Sequence, residues 1–169
     1  LERGEYEAAS AIYSRLLNGN PKDTRAMAGI HRAREGLIGD RLIAIRFARL
    51  GRNLDQALDM LRQVVADENG WALYPTGAVY TTQRDEVNEG YRHFSQTLEA
   101  YINAAKPVPA RMYLERFKPV FWQGETLSRL NKFMQQIDAD GRRSCTSLVS
   151  TIPDGAPFYR VFVERYCQY

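Results

Sequence analysis

The chain has 169 residues, with 23 Lys plus Arg against 20 Asp plus Glu for a formal charge of +3, and 44% of its residues are apolar. That length buries one core, or one and a half small ones, so a stable domain is allowed without metal or disulfide and a large multidomain enzyme is excluded. A 25% charged and 11% aromatic composition excludes a disordered tail, and no run approaches the roughly 18 apolar residues of a membrane span. With Leu1 first, and no initiator Met or signal-like apolar segment behind it, the sequence reads as a piece of a longer protein.

The small net charge hides an uneven layout. Residues 22–52 carry eight basic side chains against three acids, and residues 53–100 carry three against eight, so a +5 stretch faces a −5 stretch. Such polarity either attracts an anionic partner or belongs to ordinary solvated helix faces.

Helical spacing opens the chain. Ala9, Ile12, Tyr13, Leu16 and Leu17 predict a helix over 5–18, stopped at Asn18-Gly19-Asn20-Pro21. A second helix fits 24–35 behind Asp23 or Thr24, and Gly36 and Gly39 predict an interruption. A third runs over 40–50 with Leu42, Ile43, Ile45, Phe47 and Leu50, ended by Gly51. Asn53 caps a fourth, striped by Ala57, Leu58, Leu61, Val64 and Val65.

Gly4-Glu5-Tyr6, Ala9, Tyr13, Leu16-Leu17 and Pro21 together resemble the second helix of a tetratricopeptide repeat, in which Gly turns the chain, Ala allows close approach, the aromatic fills the gap and Pro ends the helix. Ile43-Ala44, Phe47 and Gly51 look like the first-helix pattern, with Ala57, Leu61 and Val64-Val65 as its partner. The spacing is irregular, since Gly4 and Gly51 lie 47 residues apart where one repeat gives 34. The resemblance covers about residues 1–68. It implies stacked antiparallel hairpins whose first helices line a groove at Arg25, Ala28 and Arg32, and at Arg41, Ile45 and Arg49 if the later helix is also a first helix. It further implies a protein or peptide partner, the groove suiting an acidic peptide, a carboxylate terminus or an anionic polymer held by guanidinium forks.

From Gly70 to Tyr80 Gly and Pro recur without helical period, which predicts an ordered aromatic loop. Thr81 or Thr82 then caps a regular helix with Val87, Tyr91, Phe94, Leu98, Tyr101, Ile102 and Ala105 on one seam, ended at Lys106-Pro107. A short helix over 110–118 is stopped by Pro119, another covers about 123–138, and Asp140-Gly141 predicts a turn. After it the period becomes two. Cys145, Val149 and Thr151, then Tyr159, Val161, Val163 and Cys167, predict a β-hairpin around Pro153–Pro157. The expected architecture is therefore mainly α, with helical hairpins over 1–69 and a helical unit with a C-terminal β-hairpin over 70–169.

The hairpin register that places Val149 opposite Val163 also places Cys145 opposite Cys167. Cross-strand cysteines at such positions reach disulfide distance, and the bond would stabilise by about 3 kcal/mol. A disulfide implies an extracytoplasmic compartment, and reduced thiols a cytoplasmic one.

Reactive motifs are sparse. His31 and His93 lack neighbouring ligands, Glu86, Glu89 and His93 share part of a helix face best read as solvated, and no P-loop, nucleophile elbow, Rossmann glycine pattern or zincin motif occurs. No catalytic residue, metal or cofactor is assigned. Arg111–Lys118 with Phe121-Trp122 invites a nucleic-acid reading, but a short helix must bury Tyr113, Leu114 and Phe117 to exist, and +3 is weak for a polyanion binder. The sequence points to an interaction scaffold in a cell-envelope complex. The alternative is an enzyme or enzyme subunit with its site between the repeats and the aromatic loop 71–80.

Overall fold

The computed structural model describes residues 5–121 and 126–150. They form six α-helices: α1 Glu5–Gly19, α2 Thr24–Leu50, α3 Leu54–Trp71, α4 Gly77–Asn103, α5 Pro107–Phe121 and α6 Thr126–Ser150. They group into two compact units divided between His93 and Phe94, inside α4.

No strand occurs among the described residues, so the mainly α expectation stands and the C-terminal β-hairpin does not. Cys145 and Val149, placed on its first strand, lie within α6. The reason is a coincidence of periods: residues four apart share a face in a strand and also in a helix, so Cys145 and Val149 satisfy both readings. Ile137, Gly141, Cys145 and Val149 continue the same four-residue step through the expected turn at Asp140-Gly141. Thr151, Tyr159, Val161, Val163 and Cys167 lie outside the described residues, and so does the Cys145–Cys167 pairing.

In the first unit, α1 and α2 form an antiparallel hairpin. Asp23 caps α2, its Oδ1 accepting from the backbone N–H of Arg25 at 2.9 Å and of Ala26 at 3.0 Å. The expected interruption at Gly36 and Gly39 is absent, and α2 runs unbroken for 27 residues. Two glycines on α2 serve close approach: a Cβ on Gly29 would overlap the ring of Tyr13, and one on Gly36 would overlap the ring of Tyr6. Glycine weakens a helix by roughly 1 kcal/mol, and the packed tyrosine rings offset that cost.

α2 also packs on α3. Ile38, Leu42 and Ile45 from α2 and Leu58, Leu61 and Val64 from α3 are all at most 1% exposed. Little of the expected aromatic loop remains irregular, because α3 reaches Trp71 and α4 begins at Gly77. Gly77 has φ +53°, a conformation that disfavours other residues. Thr76, just ahead of it, gives its backbone N–H and its hydroxyl to Glu35 Oε1 at 3.0 and 2.9 Å.

The second unit is aromatic. Phe94 stacks on Tyr113 at 5.6 Å between ring centres and meets Phe121 at 4.8 Å, while Tyr113 sets its edge on Phe117 at 5.0 Å. α5 packs on α6, with an ion pair between Arg111 and Asp138. Pro119 does not stop α5, which continues to Phe121 because Val120 and Phe121 are buried.

Candidate interaction surface

The residues expected to line a groove separate into two sets. Arg25, Ala28 and Arg32 are exposed on the N-terminal half of α2. The other three lie on the side of α2 that faces its own fold. Ile45 is 1% exposed and belongs to the core. Arg41 pairs with Asp67 of α3, and Arg49 pairs with Glu86 of α4.

The Glu86 pair belongs to a three-member cluster that the sequence concealed. Glu86 Oε1 accepts from Arg46 Nε at 2.8 Å and from Arg49 Nη2 at 3.1 Å, and Oε2 accepts from Arg49 Nε at 2.8 Å. The Arg49 fork is thus bidentate. Glu86 itself is only 1% exposed. Burial pushes its carboxyl up, but the hydrogen bonds and charges of Arg49 and Arg46 outweigh burial and hold it below the usual carboxylate range. Beside the cluster lies an open depression of about 530 Å³, lined by Asp85, Asn88, Glu89 and Arg92 with the three paired side chains. Its polar groups largely answer one another, since Arg92 gives Nη1 to Glu89 Oε2 at 3.0 Å.

A second cluster surrounds Trp71. The guanidinium of Arg34 lies 5.1 Å from the ring centre and that of Arg41 lies 5.9 Å away. Burial lowers the pKa of Arg34, and its Nε has no hydrogen-bond partner. One helical turn before Trp71, Glu68 is buried and takes Gln83 Nε2 on Oε2 at 2.7 Å, while Oε1 has no partner. Desolvation pushes the Glu68 carboxyl up, with the Gln83 bond opposing. The region 71–80 proposed as an enzyme site therefore presents a stacked cation and a buried acid rather than converging carboxylates.

These contacts show where the two opposite charge stretches go. Arg41, Arg46 and Arg49 from the basic segment are matched by Asp67 and Glu86 from the acidic one, so much of the charge is spent inside the first unit. Arg25 and Arg32 make no ion pair with any described residue. Arg32 only turns its Nε to the Ala28 carbonyl at 3.4 Å, at the edge of hydrogen-bond range.

Among the described residues, part of α2 remains exposed between its neighbours. On one side α1 covers Gly29 and Gly36, and on the other Val79 of α4 lies 3.8 Å from where a Gly39 side chain would begin. Arg25, Ala28 and Arg32 are exposed toward the start of α2, and Ile43, Phe47 and Leu50 toward its end, on either side of the Gly36 position that Tyr6 covers. Phe47 is 69% exposed and Leu50 66%. In the sequence both stand among the apolar residues of the helix expected over 40–50. No family model, curated protein or solved structure matches the chain.

Proposed function

We propose that this protein is an interaction scaffold that takes an acidic segment of a partner on the exposed face of α2, at Arg25, Ala28 and Arg32. One observation carries the reading: these two arginines are exposed and unpaired among the described residues, whereas Arg41, Arg46 and Arg49 of the same helix are engaged. A guanidinium without an internal partner offers its donor fork to a carboxylate, and Ala28 between the two leaves room for a backbone to approach.

The antiparallel pairing of the 15-residue α1 with α2 supports the resemblance to tetratricopeptide hairpins, a family that displays binding surfaces rather than a reaction. An extracytoplasmic setting belongs to the proposal through the pairing of Cys145 with Cys167.

The test is the affinity for a fluorescein-labelled Glu-rich peptide, measured by anisotropy at low salt. Replacing Arg25 and Arg32 together by Glu weakens binding at least tenfold under this reading. Undiminished binding rules out the site.

A further inference from the structure

The charges of the Glu86 cluster do not cancel. One buried carboxylate is held by two guanidiniums where a single one would neutralise it, so a positive charge is left over on Arg46 and Arg49. The neighbouring acids have cations of their own, since Glu89 takes Arg92 at 3.0 Å and Asp85 has Arg84 at 3.9 Å. Unused donors accompany the unused charge. Arg46 gives only Nε to Glu86, and Arg49 gives Nε and Nη2. Both Nη atoms of Arg46 and Nη1 of Arg49 therefore make no hydrogen bond to any described residue. Both side chains line the open depression of about 530 Å³, and Arg46 is 48% exposed beside it.

We infer that this depression binds a small hydroxylated molecule through an oxyanion, a phosphate or a carboxylate, seated on the outer edges of Arg46 and Arg49. The two residues stand three apart on α2, so their guanidiniums are neighbours on one helix face. Glu86 fixes both from the inner side through their Nε atoms, so the outward donors are already oriented and little side-chain freedom is lost on binding.

The remaining wall defines the rest of the molecule. An oxyanion alone fills a small part of a depression whose volume lies in the range of small-molecule sites. Asp85, Asn88 and Glu89 offer acceptors for hydroxyl groups, and no apolar side chain lines the depression to take a hydrocarbon chain. The charge of Glu89 also acts on Arg49, so it competes with an incoming anion and moderates the affinity. None of these residues takes part in the proposed capture of an acidic segment at Arg25 and Arg32.

Isothermal titration calorimetry of the full chain at fixed ionic strength tests the site, with glycerophosphate, gluconate, glucose and acetate as probes. Saturable one-to-one binding of glycerophosphate or gluconate is expected, and the tighter of the two names the anion. Glucose, which lacks the anion, and acetate, which lacks the hydroxyls, bind at least tenfold more weakly. Arg46→Gln leaves Arg49 on Glu86 and lowers affinity for the tighter probe at least tenfold, while circular dichroism shows the helices intact. Glu89→Gln removes the competing charge and raises that affinity at least threefold, an effect that a merely structural role would not produce.

Absence of saturable binding by both anionic polyols overturns the inference, as does equal binding by glucose or acetate. Undiminished binding by Arg46→Gln, or weaker binding by Glu89→Gln, also overturns it. Arg25→Glu with Arg32→Glu is expected to leave the affinity within twofold. Loss of binding in that variant moves the anion to the start of α2, in which case the proposed function stands and only this inference falls.

Discussion

The ring of Tyr13 fills the space that a side chain on Gly29 would need, and Tyr6 does the same at Gly36. The two pairs are seven residues apart on each helix, so they repeat one contact two turns along the hairpin. Gly29→Ala and Gly36→Ala must each displace a ring, and each is expected to destabilise by about 2 kcal/mol. Gly39→Ala places its methyl at an ordinary 3.8 Å from Val79 Cγ2 and gains helix propensity, so it is expected to stabilise by about 0.5 kcal/mol. Denaturant unfolding of the three variants checks the order.

Glu86 ties α4 to α2 through Arg46 and Arg49. Glu86→Gln keeps the shape but loses the charge-assisted bonds, with an expected cost of about 2 kcal/mol. Arg46→Ala costs less than about 1 kcal/mol, because Arg46 is 48% exposed. The folded carboxyl sits below its unfolded value, so its stabilisation is present above the unfolded pKa of about 4.3 and is lost as pH falls through the folded value. The stability gap between wild type and Glu86→Gln is therefore full at pH 7 and closes in acid. Thermal melts of both proteins from pH 7 to pH 3 measure it.

Glu68 has the opposite sign. Burial raises its folded pKa, so its contribution is most favourable below the unfolded value of about 4.3 and is lost as pH rises through the folded value. Glu68→Gln removes the charge while keeping an acceptor for Gln83 Nε2. The variant is expected to melt higher than wild type at pH 8, with the difference vanishing near pH 4. A variant that melts lower at pH 8 contradicts this sign.

The proposed Cys145–Cys167 pair is checked by counting thiols in denaturant without reductant. The expected count is zero, and two titratable thiols remove both the disulfide and the extracytoplasmic setting.

Helix identity was legible where apolar periodicity was strong, as at Leu58, Leu61 and Val64, whose spacing matches the buried face of α3. Continuity was not. Gly36 reads as a breaker because its intrinsic cost is visible in the sequence, while the compensating ring comes from Tyr6, 30 positions earlier. Cys145 and Val149 suit two periods at once, and only the helix running through Gly141 decides between them. At the surface, the repeat pattern pointed to Arg25, Ala28 and Arg32, which are exposed, and equally to Arg41 and Arg49, which are engaged in ion pairs. Their partners Asp67 and Glu86 lie 26 and 37 residues away, and no local pattern announces such pairs.

The central claim is that Arg25 and Arg32 read negative charge on a partner, and a charge swap tests it most directly. Affinities for a Glu-rich peptide and its Lys-rich counterpart are measured on wild type and on Arg25→Glu with Arg32→Glu. The account predicts that wild type prefers the Glu-rich peptide at least tenfold and that the variant reverses the preference. An unchanged preference in the variant contradicts it.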